Sequence, residues 1–280
     1  MIKIVTDSSC DIKNLEVPYE RVPLTITKGD VDYIDNNELN IEKMVCSLEN
    51  SKEKTSTACP SPQLWYDAAK NYEEVFFIPL TKELSGSYSS AMIAKEMLEE
   101  EGKKVYVVDT MSASAGIVLY VEKIASLIKE NKTFDNIKSI IEEYKIKLNF
   151  ILFSIDNLVK NGRTSKASGL ILNTLGISLI GEEKDGILNP LHKTKGLNKS
   201  INLIIQEMKN NCYNKGKIVI SHCFNIEGAQ KLKDKIVNEF GNVSVDIFST
   251  SGLCSYYAER KGLLISYNSA TRKPIGLPMG

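Results

Sequence analysis

Short apolar runs recur through the first half of the chain, each ending in hydroxyl-bearing or acidic residues. Ile2–Val5, Val75–Ile78 and Lys104–Val108 are rich in β-forming residues, and their length predicts buried strands. The segments behind the second and third carry apolar residues at helical spacing: Ala91, Ala94, Met97 and Leu98, then Ile117, Tyr120, Val121, Ile124 and Leu127. A repeated order of strand, polar turn and helix predicts a parallel sheet with helices on its faces. Val22–Ile26 reads as a further strand, Asp32–Asp35 as an acidic loop and Ile41–Leu48 as a helix. Lys54–Pro62 reads as a hydroxyl-rich loop stiffened by Pro60 and Pro62. Ser61 is placed there to cap a helix that starts with Leu64, Trp65, Ala68 and Ala69.

Beyond about residue 150 the pattern changes. Phe150–Ser154 is apolar, Asp156–Val159 is short, and Lys160–Lys166 makes a basic turn containing Arg163. Gly169–Ile180 is strongly apolar, which suits core packing or the lining for a hydrocarbon tail. Glu182–Gly186 reads as a hairpin turn and Pro190–Gly196 as a second basic segment. Ile201–Met208 and Glu227–Phe240 read as helices, and Lys217–Ser221, Val243–Phe248 and Leu263–Tyr267 as strands. The expected class is therefore α/β in two domains: a Rossmann-like parallel-sheet domain over residues 1–150 and a second α/β domain over 151–280. The C-terminal segment is free to pack back on the first domain.

Charge narrows the function classes. Acidic and basic residues balance at 35 each, so no net field draws the chain to nucleic acid. Any anion binding must be local. Met1–Ser9 lacks a signal-peptide core, and the longest weakly charged run, Ala167–Gly181, falls short of the ~20 residues that span a bilayer. A cytoplasmic protein is expected. Six scattered cysteines without a C-x-x-C pair suit reduced thiols, and two histidines leave little scope for a metal centre or a catalytic triad. No metal or cofactor is expected.

The candidate chemistry lies in Leu84–Ser90, where four serines and a glycine stand at a predicted helix N-terminus. Unpaired first-turn amides, hydroxyls and the positive end of the helix dipole suit an anion. Gly86 would let the backbone approach closely or adopt a positive φ. Thr57 and Ser61 in the earlier hydroxyl loop could join Ser85 around one carboxylate or phosphate, and Arg163 could point toward it. Plain capping by a serine, a small phosphate ligand and a serine hydrolase or acyltransferase remain alternatives. Leu84–Ser87 does not match the G-x-S-x-G elbow, and no Walker-type or full G-x-G-x-x-G motif occurs.

Five motifs together resemble the DegV family: Ile4–Asp11, Thr57–Pro62, Leu84–Ala91, Val108–Thr110 with Ser114 and Gly116, and Leu158–Arg163. The resemblance covers nearly the whole chain. It implies a non-catalytic carrier that buries a long-chain fatty acid between two α/β domains and presents the carboxylate to a fatty-acid kinase. A monomer is expected, with room for transient membrane contact. Carried over, the carboxylate-binding threonine falls on Thr57 and the binding serine on Ser85, with Gly86, Ser61 and Arg163 beside them. Lys195-Gly196 matches a motif in which arginine is common. Relatives usually carry an H-x-G-P-G segment near the C-terminus, but Gly252–Gly262 here has neither that histidine nor two of its glycines. Matching the end glycines puts Ala258 at the histidine position, with Tyr256 or Arg260 as candidate substitutes.

Overall fold

The computed structural model describes residues 1–49, 51, 53–164 and 176–269. Of the apolar stretch 169–180, residues 169–175 lie outside the described residues, as do Ser165 and Lys166 of the basic turn.

The predicted strands of the first half form a fully parallel sheet. Its order is β2 (Tyr19–Val22), β1 (Ile2–Asp7), β6 (Glu74–Ile78), β7 (Lys104–Val107). One face is covered by α2 (Pro62–Ala69) and α3 (Ser87–Glu100), whose Trp65, Ala91, Ala94 and Leu98 pack on Val5, Val75 and Phe77. The other face meets α4 (Ala115–Lys129) and α5 (Phe134–Glu143) through Ile4, Phe76 and Ile78.

A six-stranded sheet takes up the second half. Its order is β10 (Ile187–Lys195), β9 (Ile177–Lys184), β8 (Ile146–Leu152), β13 (Leu263–Ser269), β11 (Tyr213–His222), β12 (Val245–Ser249). Its pairings are antiparallel except between β11 and β12. Helices α7 (Leu197–Asn210) and α8 (Ile226–Phe240) cover one face through Ile204, Ile205, Leu232 and Ile236. The opposite face meets α4, which is thus the middle layer between the two sheets. That position explains why Ala115 to Val121 are buried without interruption, the signature of a helix with apolar surroundings on every side.

A third, antiparallel sheet joins β4 (Val31–Ile34), β3 (Thr25–Lys28) and β5 (Thr55–Ala58). Helices α1 (Ile41–Leu48) and α9 (Gly252–Ala258) pack with it through Ile26, Met44, Leu253 and Tyr256. It corrects three readings. Val22–Ile26 is two strands in different sheets, broken at Pro23, which has no N–H for a ladder. The acidic loop is strand β4 as far as Ile34, and the hydroxyl-rich loop is strand β5 over Thr55–Ala58. Both flank β3, whose ladder satisfies their backbones, and β-branched Thr55 and Thr57 suit a pleated surface. The second basic segment is likewise strand, part of β10, joined to β9 through Asp185 and Gly186, both at positive φ. No helix among the described residues is long and apolar enough to cross a membrane.

Three buried aspartates tie these layers together. Asp7, at the end of β1, accepts from Leu80 N (2.8 Å), Ser87 Oγ (2.5 Å), Ser9 N (3.1 Å) and Ser9 Oγ. Asp11 accepts from Ser251 N (2.8 Å) and Ser114 Oγ (2.5 Å). Asp35 accepts from Gly252 N and Leu253 N, both at 2.8 Å. Asp7, Ser8 and Ser9 therefore hold the chain in place. Burial pushes the pKa of each aspartate above its ordinary value, and the accepted hydrogen bonds oppose that shift.

Asp7→Asn would turn an amide NH₂ toward a backbone N–H that cannot rotate away. It is expected to cost about 2–4 kcal/mol by urea unfolding; a loss under ~0.5 kcal/mol would contradict this account. The pH dependence has a definite sign. A carboxyl that holds its proton more tightly when folded stabilises below the unfolded pKa, near 3.9 for aspartate, and that contribution is lost as pH rises through the folded value. Glu122, Glu183 and Glu259, also raised by burial, act in the same sense, whereas His222, lowered by burial, and the surface carboxylates Glu16, Asp67, Glu101 and Glu239, lowered by their hydrogen-bonded partners, act in the opposite one. The aspartates' share of the unfolding free energy is therefore expected to decline as pH rises above about 4, read as the pH dependence that Asp7→Asn removes from the wild-type curve; an identical pH slope in the variant would show that Asp7 contributes none of it.

Candidate functional site

The Ser85 loop begins where β6 ends. Thr81 O accepts from both Leu84 N and Ser85 N at 3.2 Å, which turns the chain sharply before α3. Gly86 forms the N-cap without any side-chain cap bond. Tyr88 and Ser89 are the first-turn amides that the helix itself leaves without acceptors. Gly86 has φ −70°, so the expected left-handed conformation is absent. Its requirement is closeness: a Cβ there would stand 3.1 Å from Cys59 Sγ. Ser87 is spoken for by Asp7, and Ser85 Oγ accepts from Ser87 N at 3.2 Å while facing a pocket.

That pocket brings together Thr57, Cys59, Ser85, Gly86, Arg163 and Tyr257. Thr57 Oγ1 and Tyr257 OH are hydrogen-bonded at 2.8 Å. Arg163 is presented by α6 (Asp156–Lys160) and the turn at Gly162, whose φ is +65°. Helix α6 in turn is docked on α9. Asn157 N donates to Glu259 Oε1 (3.0 Å), Asn157 Nδ2 to Tyr256 O (2.9 Å) and Asn161 Nδ2 to Tyr256 OH (2.8 Å). Arg163 and Tyr257 are thus positioned by one docking contact. Among the described residues no carboxylate lines the pocket, so the guanidinium and the α3 dipole leave it positive. Ser61 is not brought in: it is exposed and caps α2, accepting from Leu64 N.

Behind the pocket runs an apolar slot that shares Leu80, Leu84, Leu253, Arg163 and Tyr257 with it. Deeper in, the walls are Leu148, Phe150, Leu152, Leu158, Leu188 and Leu264. As it stands the slot is narrow, with a cavity volume of about 70 Å³. Its walls come from both halves of the chain, and one end meets the polar pocket.

Tyr257 is the residue that sequence reasoning missed. Tyr256 points the other way: it is buried, and its hydroxyl bonds Thr55 Oγ1 at 2.6 Å. Arg260 is held at the surface by Glu49 at 2.5 Å. Successive helical positions differ by about 100°, whereas Leu253 and Tyr257, one turn apart, share a face. That i, i+4 spacing was the available signal. Ala258 lines the apolar slot. Neither histidine lines pocket or slot: His192 lies 3.1 Å from Glu207, and His222 Nδ1 accepts from Asn225 N. Ser85 therefore has no histidine base among the described residues.

The model for a family described as uncharacterised proteins of the DegV family matches residues 1–268. The chain belongs to the DegV family. A DegV domain-containing protein of Streptococcus gordonii is 38% identical over 275 residues, covering 95% of this chain and 98% of that protein. Among solved DegV structures, one from Eubacterium eligens, loaded with heptadecanoic acid, matches with a TM-score of 0.93 at 35% identity over 96% of this chain and 100% of its own. The fatty acid kinase B3 protein of Streptococcus pneumoniae, loaded with linoleic acid, matches with a TM-score of 0.92 at 35% identity over 96% and 99%.

Tyr257→Phe deletes one hydroxyl from the DegV pocket and leaves the ring that helps to wall the slot. Affinity for a fluorescent fatty acid is expected to fall roughly fivefold with the unfolding midpoint little changed, the size of one hydrogen bond. Unaltered affinity would remove Tyr257 from the pocket's polar set.

Proposed function

We propose that this DegV protein is a carrier that binds one long-chain fatty acid non-covalently. The observation that carries the reading is an apolar slot ending in a small positive pocket of hydroxyls, a guanidinium and helix-terminal amides. That is the complement of a hydrocarbon tail with one terminal carboxylate. Thr57, Ser85 and Arg163 hold the carboxylate by charge-assisted hydrogen bonds, Gly86 lets it approach α3, and Ser61 keeps α2 in register behind the loop. Tail burial at ~0.8 kcal/mol per CH₂ gives on the order of 10 kcal/mol for a sixteen-carbon acid before ordering costs. The tail therefore supplies affinity and the pocket supplies orientation.

The resemblance to the kinase-system protein of S. pneumoniae supports presentation of the carboxylate at the mouth to a fatty-acid kinase. In this reading the protein is a cytoplasmic monomer needing no metal or cofactor. The fatty acid bridges a first domain over residues 1–150 and a second over 151–280, a division that falls within β8 (Ile146–Leu152).

Mass spectrometry of the purified protein after organic extraction is expected to find a stoichiometric fatty acid. Thr57→Ala with Ser85→Ala should lower affinity by at least about 100-fold, two charge-assisted bonds, without unfolding the chain. Full affinity in the double variant would sink the head-group assignment, and a wild-type protein that never takes up fatty acid would sink the carrier reading.

A further inference from the structure

We propose that Leu148 is the stop that sets how long an acyl tail this chain accepts, an inference that rests on the fatty-acid reading and concerns the same slot. Strand β8 runs along the slot, and Leu152, Phe150 and Leu148 alternate onto the face that lines it. The head-group end is identified by the chain itself, because β8 leads from Leu152 into α6 and Arg163. Leu148 lies four residues back, about 13 Å along the strand. The next residue on that face, Ile146, lines a different cavity, a polar cleft shared with Asp109, Tyr120, Lys147, Glu183 and Asp185. Slot and cleft share no lining residue, and Leu148 and Ile146 are consecutive on this face of β8.

The cross-strand rows show why a tail ends there. Beside Phe150 stand Leu264 and Gly181. A Cβ on Gly181 would be 2.2 Å from Phe150 Cζ, so the ring fits only in the notch that the glycine leaves. One row further, Leu148 pairs with Ser266, and Glu183 follows Gly181 on the same face of β9. Glu183 is buried, accepts from Gly186 N at 2.6 Å and stands opposite Leu188. Leu148 is backed by the α4 cluster of Ile117 and Val121, so it cannot retreat. Beyond it the lining turns from hydrocarbon to carboxylate, ammonium and phenol. A methylene inside the slot is worth roughly fourfold in affinity, and that gain ends where the lining becomes polar.

The test offers wild-type, Leu148→Ala and Leu148→Phe proteins an equimolar mixture of saturated acids of about 12 to 22 carbons and reads the bound acids by mass spectrometry. Leu148→Ala should move the preferred length up by roughly two to four carbons, since the next row lies about 6.6 Å further. Leu148→Phe should move it down. Opposite shifts cannot come from general loosening, and Leu148→Val, with a smaller upward shift, stands in if the alanine variant does not fold. Loaded variants with the wild-type length profile overturn the stop while leaving the fatty-acid reading intact. A wild-type protein that binds none of the acids overturns both.

Discussion

A buried carboxylate survives only when donors fill its oxygens, and here the donors come from segments far apart in the chain. Asp7 reaches Leu80 N and Ser87 Oγ, Asp11 reaches Ser251 N, and Asp35 reaches Gly252 N and Leu253 N. These bonds close both ends of the candidate site. Asp7 grips the chain just before and just after the 81–86 loop, so the loop's shape follows from two fixed points. Ser87 is consumed in that grip, which leaves Ser85 as the loop hydroxyl facing the pocket. Asp35 caps α9 through its first amides, and α9 carries Leu253 and Tyr257 to the pocket one turn apart. The side chains proposed to meet a ligand are thus placed by side chains that never touch it.

The slot exists because α4 does not cover the whole inner face of the six-stranded sheet. Helix α4 packs against β8, β11 and β13, and β9 and β10 extend past it. The uncovered strip is closed by Leu80, Leu84 and Ala113 from the first half of the chain, and by Leu253, Cys254 and Ala258 from α9. Three separate elements meeting over the sheet leave a seam, whereas one long helix would have filled it. Burial pushes the Cys254 thiol well above its ordinary pKa, so this wall behaves as a small hydrophobe.

Much of this was legible in the sequence. The parallel sheet followed from three apolar runs with helical patterns behind two of them, and Ser85 stood out because hydroxyls crowd a helix start. Other features lay outside local pattern. Thr55–Ala58 has loop-like composition and becomes a strand only because β3 offers an open edge. Asp35 read as one acid among several, and nothing near it announces the amide of Gly252, 217 residues away. Tyr257 was hidden by its neighbour: in a helix of seven residues, only its i, i+4 spacing from Leu253 sets it apart from Tyr256. Of the two uses of glycine expected at Gly86, a positive φ is not the one found, and a Cβ there would stand 3.1 Å from Cys59 Sγ.

The departure at the C-terminal motif then has a physical reading. Ala258 sits among leucines, so an imidazole there would enter the tail slot and not the head-group pocket. The polar position on α9 is one residue earlier, at Tyr257, whose hydroxyl reaches Thr57 across the interface between β5 and α9. Such a contact does two things at once. It orients the threonine hydroxyl toward the pocket, and it ties the small antiparallel sheet to the helix that walls the slot. Because α6 docks on the same helix through Tyr256 and Glu259, Arg163 is referenced to that tie as well. Polar head-group recognition and closure of the apolar seam are therefore one piece of structure. A ligand that filled only the slot or only the pocket would use half of it, and a molecule with a long tail and a terminal carboxylate uses both.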